Sequence, residues 1–472
     1  MSDLLTERAT APDDERPLAP ERSSRRRRWT RRALIILVAL AYEAIWVSTA
    51  FDKVNPTDLD VFFFPATHFA LAGHPLDIYH LRVGQRYPNA NGPLGLVPVL
   101  LAAWLADLRG WLENVTLRRA LVFAIAAIFP LLAGWEVMRV VERFVEGMGE
   151  RLRGLARALP YVPMALAPEL WLSALYYGHI EQIIAVWLTL AALRLLMSQR
   201  TIASGALLGL ALLARSDVAL IILPIALTLA ARKRIRDALW LALGTMNALL
   251  AGLLPFLIAD TRDTLFSLVA FRGALPVGGG NIWSLSDAQA FLSFGQRYDA
   301  LLALSLAALL TLATLALRRD LTIASPDLFG LLTVTTLCFA LLIKTLWPYY
   351  YLEAALFATV WASARSVEPL RAHGRQWLIR FGELSLAWLP RVGVLFCALV
   401  AEYGLEATSY EGWLPPWGLI LALLNLIVVT LTFVALLAGP RLIRLFTSHP
   451  EAAPRDILPE IALSAPADGH IR

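Results

Sequence analysis

The sequence has little cysteine and little charge. Its two cysteines, Cys338 and Cys397, both lie inside apolar runs, so no disulfide framework stabilises an extracellular domain. Charged residues make up only 17% of the 472 residues, whereas hydrophobic residues make up 58%, and both values lie outside the range of ordinary soluble domains. The composition therefore indicates an integral membrane protein.

The sequence also lacks the short motifs of several common enzyme classes. It contains no G-x-x-x-x-G-K-[ST], H-E-x-x-H, C-x-x-C or G-x-S-x-G pattern. The glycine cluster Val277–Asn281 lacks the lysine of a P-loop, and we interpret it as a flexible outer loop. We expect no cofactor and no metal. The net charge of +5 indicates topology rather than nucleic-acid binding, because the basic residues cluster at the ends of apolar runs.

Apolar runs of about 15 to 25 residues, separated by short linkers, predict an all-α polytopic membrane protein with about 12 transmembrane helices and interfacial helices in its outer loops. The first span covers about 33–51. The others lie near 119–139, 158–175, 180–197, 202–214, 217–231, 237–259, 298–317, 327–344, 347–364, 384–402 and 415–438. The run Pro93–Asp107 is short for a crossing, and we expect a half-inserted or re-entrant helix there.

Basic residues predict the orientation of these spans in the cell (inner) membrane. The run Arg25–Arg32 before the first span places both termini in the cytoplasm, and three further basic groups, 231–236, 318–319 and 365–380, should also face inside. We divide the chain into a disordered basic tail (1–32), a main transmembrane module (33–365), an interfacial segment with two further spans (366–440) and a cytoplasmic tail (441–472). Two long outer segments cover about 52–92 and 260–297.

Two acids, Asp58 and Asp60, follow the first span on the outer side. In an extended segment the two carboxylates would share a face, whereas in a helix they would diverge by roughly 200°. They could simply cap the following helix in a solvated loop. They could instead supply a general base at the membrane surface.

The residues around these acids resemble a known family. The strings D-L-D-V-F-F, L-A-G-H-P and Y-P-N-A-N-G-P-L, between residues 58 and 94, are similar to the first outer loop of GT-C-fold membrane glycosyltransferases. The nearest relatives resemble the bacterial polyprenol-phosphate-mannose-dependent mannosyltransferases (glycosyltransferase 87, DUF2029-like). The resemblance implies a GT-C-like bundle in which Asp58 is the catalytic base, with Asp60 in reserve.

Three later segments extend the resemblance, which covers roughly Ala33–Arg365. The segment 203–224 is similar to the family's paired short helices and implies that Arg215 binds the donor phosphate, and 343–357 implies a second phosphate cation, Lys344. In the stretch 175–187 the family's G-Q-x-N reads G-H-I-E. The substrate-positioning residues implied by these segments are His179, Glu181, Tyr349 and Tyr350. Some relatives carry a histidine near position 344, and its absence here argues against a histidine that shares the role of the base.

The resemblance implies transfer of mannose or another hexose from a polyprenyl-phosphate donor to a hydroxyl of a lipid or glycan acceptor, at the outer face and with inversion. A transporter or flippase of a lipid-linked or small polar substrate is the alternative from another class. It would require ionisable residues deep within spans, and Glu43 and Glu136 are candidates. A third reading is an inactive GT-C relative that only binds lipid carriers, because the G-H-I-E stretch is altered.

Overall fold

The computed structural model describes residues 57–81, 87–145, 177–370, 377–407 and 416–447, together with scattered positions between 37 and 48. The described residues contain helices and no strand, and the predicted all-α class is confirmed for them. The predicted tails, the first span and the span near 158–175 lie mostly or wholly outside the described residues. The expected flexible glycine loop is held in place, because Gly279 forms a backbone bridge with Thr345.

The helices are α1 (Phe64–Leu71), α2 (Pro93–Leu108), α3 (Val115–Ala126), α4 (Ile128–Phe144), α5 (Ile180–Met197), α6 (Thr201–Ala214), α7 (Ala219–Ala231), α8 (Ile235–Ala259), α9 (Thr261–Leu265), α10 (Phe271–Ala274), α11 (Gln289–Leu317), α12 (Asp327–Leu342), α13 (Leu352–Leu370), α14 (Trp377–Ala407) and α15 (Trp417–Thr447). Wider π turns, Leu59–Phe63 and Phe266–Ala270, precede α1 and α10.

Six helical stretches in the described part of the chain are long and apolar enough to cross a membrane: Val115–Phe144, Ile180–Met197, Ile235–Ala259, Gln289–Leu317, Trp388–Leu405 and Trp417–Ala438. Shorter apolar helices accompany them, including α2, α6 and α12. The chain thus has the helices of an α-helical membrane protein, and the count of about 12 spans stays a prediction.

Helices α6 and α8 pack closely because glycines allow their backbones to approach. A Cβ atom on Gly205 would lie 2.2 Å from the carbonyl oxygen of Leu241, and one on Gly209 would lie 2.4 Å from that of Thr245. The Thr245 hydroxyl also donates to the Gly205 carbonyl at 3.1 Å. Gly205 and Gly209 form a G-x-x-x-G pattern, which supports tight helix pairing where water does not drive association.

One end of the bundle collects three of the basic groups that the sequence predicts on the same side. The Arg232 guanidinium donates to the carbonyl oxygens of Leu321 and Arg318, at 2.7 and 2.6 Å. Arg318 and Arg365 both pair with the buried carboxylate of Asp327. We call this the basic end. Helix α12 begins there and is 16 residues long, so it spans about 24 Å to the opposite end.

Helix α2 begins at that opposite end, and the chain that follows α2 returns to α1. A Cβ atom on Gly95, in its first turn, would lie 2.6 Å from the Cβ atom of Glu181 at the start of α5. Beyond α2, the Arg118 guanidinium lies 3.9 Å from the centre of the Phe64 ring at the start of α1. The chain that follows α2 therefore returns to the first outer segment at the first turn of α3, and the re-entrant path of α2 stays a prediction.

Candidate functional site

The two acids of the first outer segment point to different partners. A helical turn begins at Leu59, one residue after Asp58, and its rotation separates the two side chains. The Asp58 carboxylate lies 2.7 Å from the His179 imidazole. The Asp60 carboxylate lies 2.6 Å from the Arg119 guanidinium and accepts further hydrogen bonds from the backbone N–H and hydroxyl of Thr57. The helical alternative therefore holds, and the two carboxylates pair with different partners.

The exposure of the two carboxylates separates their roles. The Asp60 side chain is 15% exposed and its partner Arg119 is 5% exposed, whereas Asp58 keeps 34% of its side chain exposed. Asp60 thus forms a largely buried ion pair that ties the first outer segment to α3. Asp58 retains a face that a substrate can reach.

A glycine sets the position of the histidine that pairs with Asp58. Gly178 has φ +76°, in the left-handed region that favours glycine, and a Cβ atom there would lie 2.8 Å from the Leu59 side chain. The Tyr177 carbonyl, one residue earlier, accepts a hydrogen bond from the Asp58 backbone N–H at 3.2 Å. The backbone of 177–178 therefore packs directly on the turn that carries Asp58.

The His179 ring lies between two carboxylates and stacks on an aromatic ring. Its second nitrogen, Nδ1, lies 2.7 Å from Glu181, and its ring centre lies 3.9 Å from that of Tyr349 at an interplanar angle of 30°. Burial disfavours the imidazolium, but the charges and hydrogen bonds of Asp58 and Glu181 outweigh burial and raise the pKa of His179 to about 9. The imidazole is therefore charged at neutral pH.

This pairing corrects the expectation that no histidine accompanies the base. The segment around Lys344 carries none, but the fold brings His179 to Asp58 from the start of α5. The altered G-H-I-E stretch supplies the histidine, and no local sequence pattern reports the distance between positions 58 and 179.

Arg215 lies in the same group of side chains, with its guanidinium donating to carboxylates. Nε lies 2.5 Å from Asp217 and NH1 lies 3.3 Å from Glu181. The guanidinium carbon lies 5.1 Å from the centre of the Tyr350 ring, within cation–π range. Arg215 therefore holds buried carboxylates in place, and its predicted contact with a donor phosphate stays a prediction.

Three polar residues that the sequence analysis did not single out, Gln182, Glu353 and Asp217, also belong to this group. The Gln182 side-chain amide donates to the Tyr349 carbonyl at 2.6 Å and to the Glu353 carboxylate at 2.7 Å. Among the described residues, three buried carboxylate oxygens near Arg215 have no hydrogen-bond partner: Glu181 Oε2, Asp217 Oδ1 and Glu353 Oε1. Hydroxyl groups of a ligand or of water would satisfy these acceptors.

Lys344 forms hydrogen bonds with backbone carbonyls of the second outer segment. Its ammonium donates to the carbonyl oxygens of Arg272 and Gly273, at 2.7 and 2.9 Å, and the side chain is buried. Lys344 thus fastens the second outer segment to the end of α12. Two of the three N–H donors of the ammonium are used by these carbonyls, and a direct phosphate contact stays a prediction.

Arg272, which the sequence analysis missed, is half-buried, and its carbonyl accepts one of these hydrogen bonds. Its Nε donates to the Ala90 carbonyl at 3.2 Å, and its charge acts on the hydroxyl of Tyr350. The preceding Phe271 ring lies 6.5 Å from that of Phe62, on the turn that carries Asp58. The second outer segment therefore lies over the first one at the candidate site.

The described residues thus define a helical protein with membrane-length apolar helices and a buried polar cluster at one end. A comparison of the chain with protein-family models gives no match, and a comparison with curated proteins gives none either. The GT-C resemblance therefore rests on the residues that carry it.

Proposed function

We propose that the protein transfers a sugar from a polyprenyl-phosphate donor to an acceptor hydroxyl, with Asp58 as the general base and the site at the outer face of the membrane. The pairing of the partly exposed Asp58 carboxylate with the buried His179 imidazolium is the observation that carries the proposal. The His179 partner orients the Asp58 carboxylate, as a base that must accept a proton requires.

In the proposed step the acceptor hydroxyl gives its proton to Asp58 while its oxygen attacks the anomeric carbon of the donor sugar. The bond between that carbon and the phosphate oxygen breaks, and polyprenyl phosphate leaves with the electron pair. Attack on the face opposite the phosphate inverts the anomeric configuration. The three unpartnered carboxylate oxygens near Arg215 are buried, and sugar hydroxyls would reach them only after the side chains that cover them move.

The departing phosphate gains negative charge and needs a cation near the mouth of the site. We assign this role to Arg272, because its side chain is half-buried and its charge acts on the hydroxyl of Tyr350. Lys344 would position Arg272 through the hydrogen bonds to its carbonyl. The positive charge of Arg215 would also act on the departing phosphate, from the other side of the rings of Tyr349 and Tyr350.

The transporter alternative depends on ionisable side chains within spans. Glu136, one of its two candidates, forms a two-pronged ion pair with Arg194, at 2.6 and 3.1 Å. This partner explains the acid as a helix-to-helix contact between α4 and α5. The second candidate, Glu43, lies outside the described residues.

The test is transfer by the purified full-length protein in nanodiscs, with a panel of radiolabelled polyprenyl-phosphate hexoses and membrane-lipid acceptors. Asp58→Asn removes the base and Asp287→Asn, an exposed acid of the second outer segment, is the matched control. Product from the wild type and the control, but not from Asp58→Asn, supports the proposal. Donor binding without turnover by all three proteins would favour the inactive carrier-binding alternative.

A further inference from the structure

A second polar cluster lies apart from the Asp58 site, where the two outer segments meet. We propose that His80, Asp260 and Asp263 form a binding site for a zinc ion. His80 belongs to the first outer segment, whereas Asp260 and Asp263 follow α8. The proposal concerns a separate site and does not depend on the proposed transfer reaction.

The spacing of the ligand atoms fits a tetrahedral zinc ion. His80 Nε2 lies 3.1 Å from Asp260 Oδ2 and 3.6 Å from Asp263 Oδ2, and the three ligand atoms all lie within 4.8 Å of one another. Zinc bonds of about 2.0–2.2 Å to nitrogen and oxygen place neighbouring ligands of a tetrahedron about 3.3–3.5 Å apart. A single ion can therefore reach all three atoms with only small shifts of the side chains.

A neighbouring backbone N–H already orients one of these ligands, and a carboxylate lies near a second. Asp260 Oδ1 accepts a hydrogen bond from the Asp263 backbone N–H at 2.9 Å, which leaves Oδ2 on the side of His80. The other nitrogen of His80, Nδ1, lies 3.9 Å from the Asp77 carboxylate. A carboxylate behind a histidine ligand is a common partner in metal sites, because it fixes the ring and strengthens the bond to the metal.

Packed residues next to the ligands hold the two segments at this separation. Tyr79, adjacent to His80, is buried, and its ring meets that of Phe256 edge-on with centroids 5.5 Å apart. The Ser267 hydroxyl donates to the Tyr79 carbonyl at 3.2 Å. The ligands therefore come from backbone that is fixed on both sides, and little chain has to be ordered when an ion binds.

The charge of the cluster favours a cation. Asp77, Asp260 and Asp263 contribute three carboxylates, and in the described part of the chain their ion pairs run to His74 and His80. One imidazole nitrogen with carboxylate oxygens suits zinc and other transition-metal dications, whereas magnesium and calcium prefer oxygen ligands alone. The ligands remain partly exposed, so an ion can enter from the solvent.

A bound ion would clamp the first outer segment, which carries Asp58, to the second one, which carries Arg272. Because the ligands are 180 residues apart in the sequence, the ion would fix the separation of two segments that the chain itself connects only through many helices. We expect binding to raise the thermal stability of the folded protein, since the unfolded chain does not present the three ligands together.

The experiment uses the full-length protein in detergent, first treated with a chelator, then incubated with zinc chloride and passed through a desalting column. Elemental analysis by mass spectrometry gives the zinc content, and parallel samples receive manganese, magnesium or calcium. The ligand variants are His80→Ala and Asp263→Asn. The matched controls are His68→Ala and Asp287→Asn, which remove an exposed histidine and an exposed aspartate outside the cluster.

We expect about one zinc per chain in the wild type and in both controls, and at least about a tenfold weaker zinc affinity in each ligand variant. Zinc should also raise the unfolding temperature of the wild type and the controls more than that of the variants. If His80→Ala proves unstable, the test rests on Asp263→Asn alone. This substitution keeps the backbone N–H that donates a hydrogen bond to the Asp260 carboxylate. Equal zinc content in wild type and variants, or no retained zinc in the wild type, would overturn the proposal and leave a histidine–carboxylate ion pair.

Discussion

Asp60 and Asp58 lie two residues apart, and their replacement should have different effects on the stability of the fold. Asp60→Asn removes the charge that faces the buried Arg119 guanidinium. Asp58→Asn removes a carboxylate that keeps a third of its side chain exposed. We therefore expect Asp60→Asn to destabilise the fold and Asp58→Asn to leave the fold intact.

The magnitude follows from the burial of the ion pair. Removing one partner of a buried pair leaves the other charge without compensation and typically costs 3–5 kcal/mol. Asp60 is 15% exposed, and the Asn side chain can still accept one hydrogen bond, so we expect a loss near the lower end, about 3 kcal/mol. For Asp58→Asn we expect a smaller loss of about 1–2 kcal/mol, because Asp58 is a third exposed and His179 keeps its pairing with Glu181.

The assay is chemical unfolding of the purified variants in one detergent, followed by tryptophan fluorescence, with Asp287→Asn as the surface control. The double variant Asp60→Asn, Arg119→Gln should recover part of the loss, because it leaves no lone charge. An Asp60→Asn variant as stable as the wild type would refute the reasoning, as would a double variant no more stable than the single one.

Three further predictions concern the candidate site. Because the pKa of His179 is about 9 in the folded protein and about 6.5 when unfolded, its pairing with Asp58 and Glu181 stabilises the fold fully below about pH 6.5. That stabilisation, and transfer with it, should be lost as the pH rises through about 9, and His179→Gln should lack this alkaline step in unfolding curves. Gly178→Ala combines a strained φ with overpacking and should destabilise the protein by about 2–4 kcal/mol and lower the transfer rate about 100-fold. Arg272→Gln should raise the KM for the donor at least about tenfold in initial-rate measurements, with little change in thermal unfolding.

Each of these predictions has an outcome that contradicts it. A wild-type unfolding curve that is flat between pH 7 and 10 would contradict the raised pKa of His179. A fully active Gly178→Ala would mean that the backbone of 177–178 does not set the site. An unchanged donor KM in Arg272→Gln, compared with the exposed Arg109→Gln as control, would remove Arg272 from phosphate binding.

Much of the helical pattern could be predicted from hydropathy, because long apolar runs can satisfy their backbone only as helices in a membrane. The predicted spans near 180–197 and 202–214 agree closely with helices α5 and α6. The basic residues Arg232, Arg318 and Arg365 meet at one end, as the positive-inside rule predicts for residues on the same side.

The partners of the candidate residues could not be predicted in the same way. Whether Asp58 and Asp60 share a face depends on the conformation of the turn at Leu59, and the sequence left both conformations open. The contacts of Lys344 with the carbonyls of Arg272 and Gly273 carry no sequence pattern, since any residue supplies a carbonyl. The cluster at His80 joins residues that are 180 positions apart, a separation that local periodicity does not report.

The most direct test of the central claim is the single-turnover rate of sugar transfer by Asp58→Asn, measured with the donor that the panel identifies and with donor binding measured in parallel. If Asp58 is the base, the variant should bind the donor within about twofold of the wild type and transfer it about 10²–10⁴ times more slowly. A single-turnover rate within about threefold of the wild type would contradict the account.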